Sequence, residues 1–217
     1  MKNLRIKLLI GLCGCLGIAN GTDLLIEAES FTDKGGWVVD QQFMDQMGSP
    51  YLLAHGIGNK VADASTKIVF PTTGIYHVYV RTYNWTSPWK AGKGAGQFAL
   101  IIEGKSINDN LGTEGDSWIW QKAGEVQIDK PENKIILRDL SGFDGRCDAL
   151  YFTTDPSNLP PTGGADLETF RREKLELPDE VPIAGEYDFV VVGAGIAGMC
   201  AAVSAARLGC KVALIND

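Results

Sequence analysis

Three glycines near the C-terminal end of this 217-residue chain have the spacing of a turn that holds a diphosphate: Gly193, Gly195 and Gly198, within Gly193-Ala194-Gly195-Ile196-Ala197-Gly198. Gly193 permits a tight turn, Gly195 lets the backbone come up against the phosphates, and Gly198 lets a helix pack closely on the preceding strand. The diphosphate would rest on the N-terminus of that helix, where free N–H groups point outward. The flanks supply what such a turn requires. Residues 187–192 form a near-continuous apolar strand of the buried parallel kind. Residues 197–208 carry five alanines and no proline, suit a helix stopped by Gly209, and are followed by a second apolar strand at 211–215. The position that ends this second strand, where a dinucleotide's ribose hydroxyls are held, falls on Asn216. An amide there can hydrogen-bond a hydroxyl but forgoes the charge-assisted bond of a carboxylate, and Asp217 points the other way by strand alternation.

Four tryptophans form a second set. Trp85 and Trp89 within residues 82–89, and Trp118 and Trp120 within 116–120, lie in turn-flanked stretches with polar neighbours. Two roles are open to them: flat faces on which sugar rings stack, or the large apolar side chains that a sandwich core or a domain contact needs. Catalytic motifs are otherwise lacking. His55 and His77 are the only histidines, which gives no support to a multi-histidine zinc site or a serine triad. The sequence has no G-x-S-x-G, H-E-x-x-H or G-x-x-x-x-G-K, and no residue is assigned a catalytic role.

The elements that would position these residues are of two kinds. From Asp23 to about residue 155, short alternating runs between turn clusters mark an all-β region. Candidate strands lie at 24–29, 37–40, 66–70, 75–83, 97–103, 118–121, 125–128, 134–140 and 148–153. Tyr76, Val78 and Val80 share one face while His77, Arg81 and Tyr83 share the other; Phe98, Leu100 and Ile102 likewise share a core face. Eight or nine such strands in about 130 residues suit a two-sheet jelly roll. Residues 156–186, rich in proline and glycine at their start, read as a linker with a short polar helix at 166–174 anchored by Leu167 and Phe170. The expected fold class is therefore a β-sandwich over 22–155 followed by a truncated α/β Rossmann start over 187–217. Two strands and one helix cannot bury both faces of a sheet, so the second part is incomplete.

Lys2, Arg5 and Lys7 precede an apolar run from Leu8 to Ala19, too short for a stable membrane anchor and suited to a secretory signal over residues 1–21. Cleavage after Ala19 or Gly21, and lipidation at Cys15 within Leu12-Cys13-Gly14-Cys15, are the two ways such a leader ends. Export, periplasmic or extracellular, is expected in both. Without the three leader cations, 17 basic side chains remain against 27 acidic, a formal charge of −10, and no basic stripe suggests nucleic acid. Cys147, Cys200 and Cys210 read as small buried hydrophobes; the last two are about 15 Å apart by helical rise, beyond disulfide reach.

The stretch GAGIAGMCAAVSAARLGCKVALIND resembles the opening of exported bacterial FAD-dependent oxidoreductases, some of them called xanthan lyases. That resemblance implies FAD as the cofactor, held by residues 193–198 and Asn216, with the substrate pocket and flavin-facing residues beyond Asp217. The preceding region is similar to galactose-binding-like sandwiches, including carbohydrate-binding modules with Glu-Ala-Glu in the first strand and Asp in the last. Here these are Glu27-Ala28-Glu29 and Asp148. The likeness implies a calcium ion on Glu27, Glu29 and Asp148, a hard cation on oxygen ligands, against the alternative of solvated edge carboxylates. It also implies carbohydrate as the partner of the four tryptophans. Two functions follow. The first is the N-terminal portion of a secreted FAD-dependent oxidoreductase, not catalytically competent without the remainder of its flavin domain. The alternative is a stand-alone secreted carbohydrate-binding module trailing a nonfunctional flavin-domain remnant.

Overall fold

The computed structural model describes residues 22–89, 94–178 and 183–216, so the expected leader and its cleavage or lipidation point lie outside the described residues. The chain divides into two compact units, the first ending at Leu177 and the second starting at Pro178.

The first unit is a β-sandwich of jelly-roll type. One antiparallel sheet runs β2 (Val38–Asp40), β3 (Tyr51–Ala54), β10 (Gly145–Thr153), β5 (Gly74–Tyr83), β8 (Trp118–Ile128). β1 (Asp23–Glu27) lies along the second half of β10, with Glu27 opposite Ala149 and Asp23 opposite Thr153. The other sheet runs β4 (Ala64–Val69), β9 (Glu132–Asp139), β6 (Phe98–Ile102), β7 (Lys105–Leu111). Alternation delivers the core as expected. Tyr76, Val78 and Val80 of β5 meet Phe98, Leu100 and Ile102 of β6 in one apolar cluster. Phe70 sits edge-on to both Tyr76 and Phe152, at 5.2 and 5.1 Å between ring centres.

Several local features depart from the sequence expectation. Tyr51-Leu52-Leu53-Ala54 forms β3 although it shows no alternation, because all four residues are buried and the sheet is covered on both faces. The strands expected at 118–121 and 125–128 are one strand, β8, whose register against β5 shifts between Val78 and Tyr79. Gly124, at φ +142, supplies the backbone conformation for that bulge. Glu29 falls outside β1, in a short 3-10 turn over Ala28–Ser30.

What covers the outer face of the first sheet comes from two places. Phe43 and the short helix α1 (Met44–Met47) pack with Tyr51, Leu53, Tyr83 and Trp118. The segment expected as a linker covers the rest. It carries α2 (Gly164–Lys174), and Phe170 and Leu175 pack on Leu25, Tyr79, Trp120 and Tyr151. The face that α2 turns to the sheet is Leu167, Phe170, Arg171 and Lys174, at the i, i+3, i+4, i+7 spacing of a helical stripe but half charged. Polar contacts hold the segment down. Asp23 Oδ2 accepts from Asn158, Lys174 and Tyr151 at 2.8, 2.8 and 3.0 Å.

The second unit is β11 (Phe189–Val192), α3 (Ile196–Arg207) and β12 (Val212–Ile215), with the strands parallel from Phe189 opposite Val212 to Val192 opposite Ile215. Val190, Val192, Met199, Val203, Leu214 and Ile215 stay exposed within it. No helix among the described residues is long and apolar enough to cross a membrane.

Candidate functional sites

The four tryptophans separate into two kinds. Trp118 is 6 % exposed, stacked on Tyr83 at 5.6 Å and set edge-on to Tyr51 at 5.1 Å. Trp120 lies against Tyr151, and its Nε1–H donates to Pro161 O at 2.9 Å. Both therefore serve packing, as strand residues on the covered outer face. Trp85 and Trp89 sit in the loop after β5, with ring centres 6.1 Å apart and planes at 67°, and Trp89 is 77 % exposed. Their loop is held from below. Asn84 Oδ1 accepts from Thr86 Oγ1 at 3.0 Å, and Trp85 Nε1–H donates to Phe143 O at 2.8 Å. The Arg146 guanidinium lies 5.4 Å from the Trp85 ring centre. Phe143, half exposed in the loop before β10, adds a third aromatic ring to this end of the sandwich, a residue that the sequence reading did not single out. Fixed aromatic faces beside polar groups are what a sugar ring needs for stacking.

Glu27, Glu29 and Asp148 do come together, on the outer face beneath α2. Asp148 reaches that face because the β5 register shifts between Cys147 and Ala149, which turns two successive residues outward. Its Oδ2 accepts from Arg81 at 2.9 Å and from Arg171 at 3.2 Å, and its Oδ1 accepts from Ser49 Oγ at 3.3 Å. Arg171 also donates to Glu27 Oε2 and to Ser49 Oγ. Burial drives the Glu27 carboxyl up to about 8, against the pull of Arg171 and reinforced by Asp148 and Glu29. Burial likewise lifts Glu29 to about 7 and raises Asp148. Arg171 takes Glu27 Oε2 and Asp148 Oδ2, while Glu27 Oε1 and Glu29 Oε2 are buried without a hydrogen-bond partner. Among the described residues, no three acidic, histidine or cysteine side chains are disposed to hold a metal. Arg81 and Arg171 were missed as site residues. The first was legible only as the outward member of an alternating strand, and the second occupies a stripe position normally read as apolar.

The glycine turn has the local geometry its spacing implies. Gly193 is left-handed at φ +98, and its N–H donates to Ile215 O at 2.8 Å. A Cβ on Gly198 would stand 1.9 Å from Gly193 O, so the helix can approach the turn this closely only with glycine there. A Cβ on Gly195 would meet nothing within 4 Å. Gly195 caps α3 with no side-chain hydrogen bond, and the first turn carries no acid, so the N–H groups of Ile196, Ala197 and Gly198 precede the first intrahelical bond, Met199 N–H to Gly195 O. Ala194 N–H is used differently, donating to Asn216 Oδ1 at 2.8 Å. Asn216 thus braces the turn from the end of β12. Open space before an uncapped helix N-terminus fits the diphosphate of a dinucleotide.

Comparison with known proteins gives matches for each unit. Residues 188–217 match the family model described as FAD dependent oxidoreductase. No curated protein has a matching sequence. Among solved structures, the chain is similar to a GH26-CBM35 β-(1,4)-mannanase from Podospora anserina at 20 % identity and a TM-score of 0.48, over 64 % of this chain and 29 % of that one. It is similar to a family 35 carbohydrate binding module from Clostridium thermocellum at 14 % identity and a TM-score of 0.47, over 60 % of this chain and 97 % of the module. A Paenibacillus xanthan lyase matches at 16 % identity and a TM-score of 0.47, over 62 % of this chain and 13 % of the lyase. The chain therefore spans under a third of the mannanase and a smaller share of the lyase.

Proposed function

We propose that this chain is part of an exported FAD-dependent oxidoreductase in which β11, α3 and β12 hold the cofactor's diphosphate and the sandwich binds carbohydrate. The observation that carries the cofactor reading is the contrast between two glycines: Gly198 has no room for a side chain, whereas Gly195 faces open space at the bare end of α3. The family-model match over the same residues supports it. When bound, the flavin supplies the redox chemistry. The residues of this chain bind and orient its diphosphate through the first N–H groups of α3, and Asn216 keeps Ala194 in place. The exposed apolar faces of β11 and β12 fit a sheet continued by further strands, which would enclose the rest of the cofactor. The basic start, Lys2, Arg5 and Lys7, followed by the apolar run from Leu8 to Ala19 supports export.

Extending the chain through the reading frame that follows Asp217 tests this. The extended protein should purify yellow, with flavin absorbance, and Gly195→Val should be colourless because a side chain there blocks the diphosphate. A folded extended protein that is colourless and binds NAD transfers the assignment to a nicotinamide enzyme. A frame that stops at Asp217 leaves the second reading, a secreted carbohydrate-binding module, which the exposed Trp89 with half-buried Trp85 beside it favours.

A further inference from the structure

Five charged side chains from five places in the fold meet on the outer face of the first sheet: Glu27 ending β1, Glu29 in the turn after it, Arg81 on β5, Asp148 on β10 and Arg171 on α2. We propose that the Arg171 guanidinium is the built-in counter-cation of this carboxylate cluster. It fills the position a divalent ion would otherwise take, so the sandwich gathers Glu27, Glu29 and Asp148 without calcium, and the same contact fastens the chain after the sandwich to the sheet.

The charge balance requires a cation here. Asp148 and, once ionised, Glu27 and Glu29 repel one another and lose hydration in one poorly solvated patch, and one guanidinium cannot serve them all. Arg81 is committed to Asp148, at 2.9 Å, and to Thr162 O, at 3.2 Å. Arg171 supplies the second positive charge in a form suited to bridging. Its planar fork sends Nη1 to Asp148 and Nη2 to Glu27 and Ser49, linking β1, β10 and the second residue before β3 in one contact.

The placement of Arg171 shows what the bridge is worth. It is 7 % exposed at the position four residues after Leu167, in the sheet-facing stripe of a short helix otherwise open to solvent, where a leucine would pack at no electrostatic cost. Phe170 beside it packs edge-on to Tyr151 at 5.1 Å, and Lys174 pairs with Asp23 at 2.8 Å, so the helix cannot withdraw Arg171 without uncovering both. While Arg171 holds Glu27 Oε2 and Asp148 Oδ2, a metal ion cannot use those two oxygens. With α2 seated, the carboxylate cluster is covered, and Trp89 in the loop after β5 stays exposed.

The test is thermal unfolding of the full chain followed by tryptophan fluorescence, which reports the first unit alone because all five tryptophans, at 37, 85, 89, 118 and 120, lie in it. The native chain should melt at the same midpoint in millimolar calcium and in chelator. Arg171→Ala should melt lower by roughly 5 °C or more in chelator and regain part of the loss in calcium, because Glu27 and Glu29 lose their guanidinium and Asp148 keeps only that of Arg81. Arg171→Ala combined with Glu27→Gln should recover part of the loss in chelator, which a purely packing role for Arg171 would not allow. A native midpoint raised by calcium overturns the proposal, as does an Arg171→Ala protein that is as stable as the native chain or blind to calcium. If Arg171→Ala fails to fold in either condition, Arg171→Lys decides: coincident midpoints with and without calcium support the built-in charge, and a calcium-raised midpoint overturns it.

Discussion

Arg81 and Asp148 face each other across the β5–β10 pair at 2.9 Å, with side-chain exposures of 2 % and 0 %. Neither strand's alternation alone creates this pair; the register shift beside Asp148 turns the carboxylate to the side where Arg81 already points. Because Arg171 shares the same oxygen, removing the carboxylate charge strands two guanidiniums in a place water does not reach. Asp148→Asn should therefore destabilise the first unit by about 3–5 kcal/mol, read from urea unfolding followed by tryptophan fluorescence. A loss within experimental error of zero would show that solvent reaches the pair.

The same patch sets a pH dependence. Glu27 titrates at about 8 and Glu29 at about 7 in the folded chain, in both cases chiefly through burial, whereas in the unfolded chain they return to the ordinary value of 4.5. Between those values the folded form holds more protons, so their contribution to stability is full below pH 4.5 and is lost as the pH rises through 7 and 8. The melting midpoint should fall between pH 6 and pH 9, and more steeply in the native chain than in Glu27→Gln, Glu29→Gln. Parallel curves for the two proteins would remove these glutamates as the cause.

Trp89 and Trp118 offer a contrast between recognition and packing. Trp118 is enclosed by Tyr51, Tyr83 and Phe43, so Trp118→Ala should cost about 3–5 kcal/mol through the cavity it leaves. Trp89 is exposed, and Trp89→Ala should change stability by less than about 0.5 kcal/mol. If the loop aromatics hold sugar, Trp89→Ala and Trp85→Ala should abolish retardation in native gels cast with soluble polysaccharide, while leaving the melting midpoint of the Trp89 variant in place. Retardation unchanged in both variants would move the binding surface elsewhere.

Much of this fold was legible because its physics is local. Alternation placed Tyr76, Val78, Val80, Phe98, Leu100 and Ile102 in the core, and the glycine spacing placed a turn between a strand and a helix. The parts that escaped depend on contacts distant in sequence. β3 lacks alternation because α1 and Phe43 cover its second face, and β7 is a largely polar edge strand that pairs only through β6. Residues 155–163 have a linker's composition, yet Pro161 and Thr162 offer carbonyls to Trp120 and Arg81. The resemblance to carbohydrate-binding sandwiches singled out Glu27, Glu29 and Asp148, which meet beneath α2. It could not show that the cation there arrives from a helix 23 residues beyond Asp148.

The glycine turn yields the last prediction, which separates folding from binding within six residues. Gly198→Ala drives a methyl into Gly193 O, a contact of 1.9 Å with backbone that cannot move without opening the turn, so it should loosen the second unit whether or not a cofactor is present. Gly195→Ala places its methyl in open space and should leave the unit folded while weakening the hold on the diphosphate. Asn216 adds a third arm. Its Oδ1 accepts from Ala194 N–H at 2.8 Å, an acceptor that aspartate keeps and leucine lacks. Asn216→Asp should preserve the turn and, with a carboxylate at the end of β12, hold a ribose at least as well, whereas Asn216→Leu should loosen the turn. Limited proteolysis of the chain reads the turn, and flavin retained by the extended protein reads the binding. Gly195→Ala and Gly198→Ala with the same protease resistance and the same flavin content would mean that neither glycine acts as the geometry assigns.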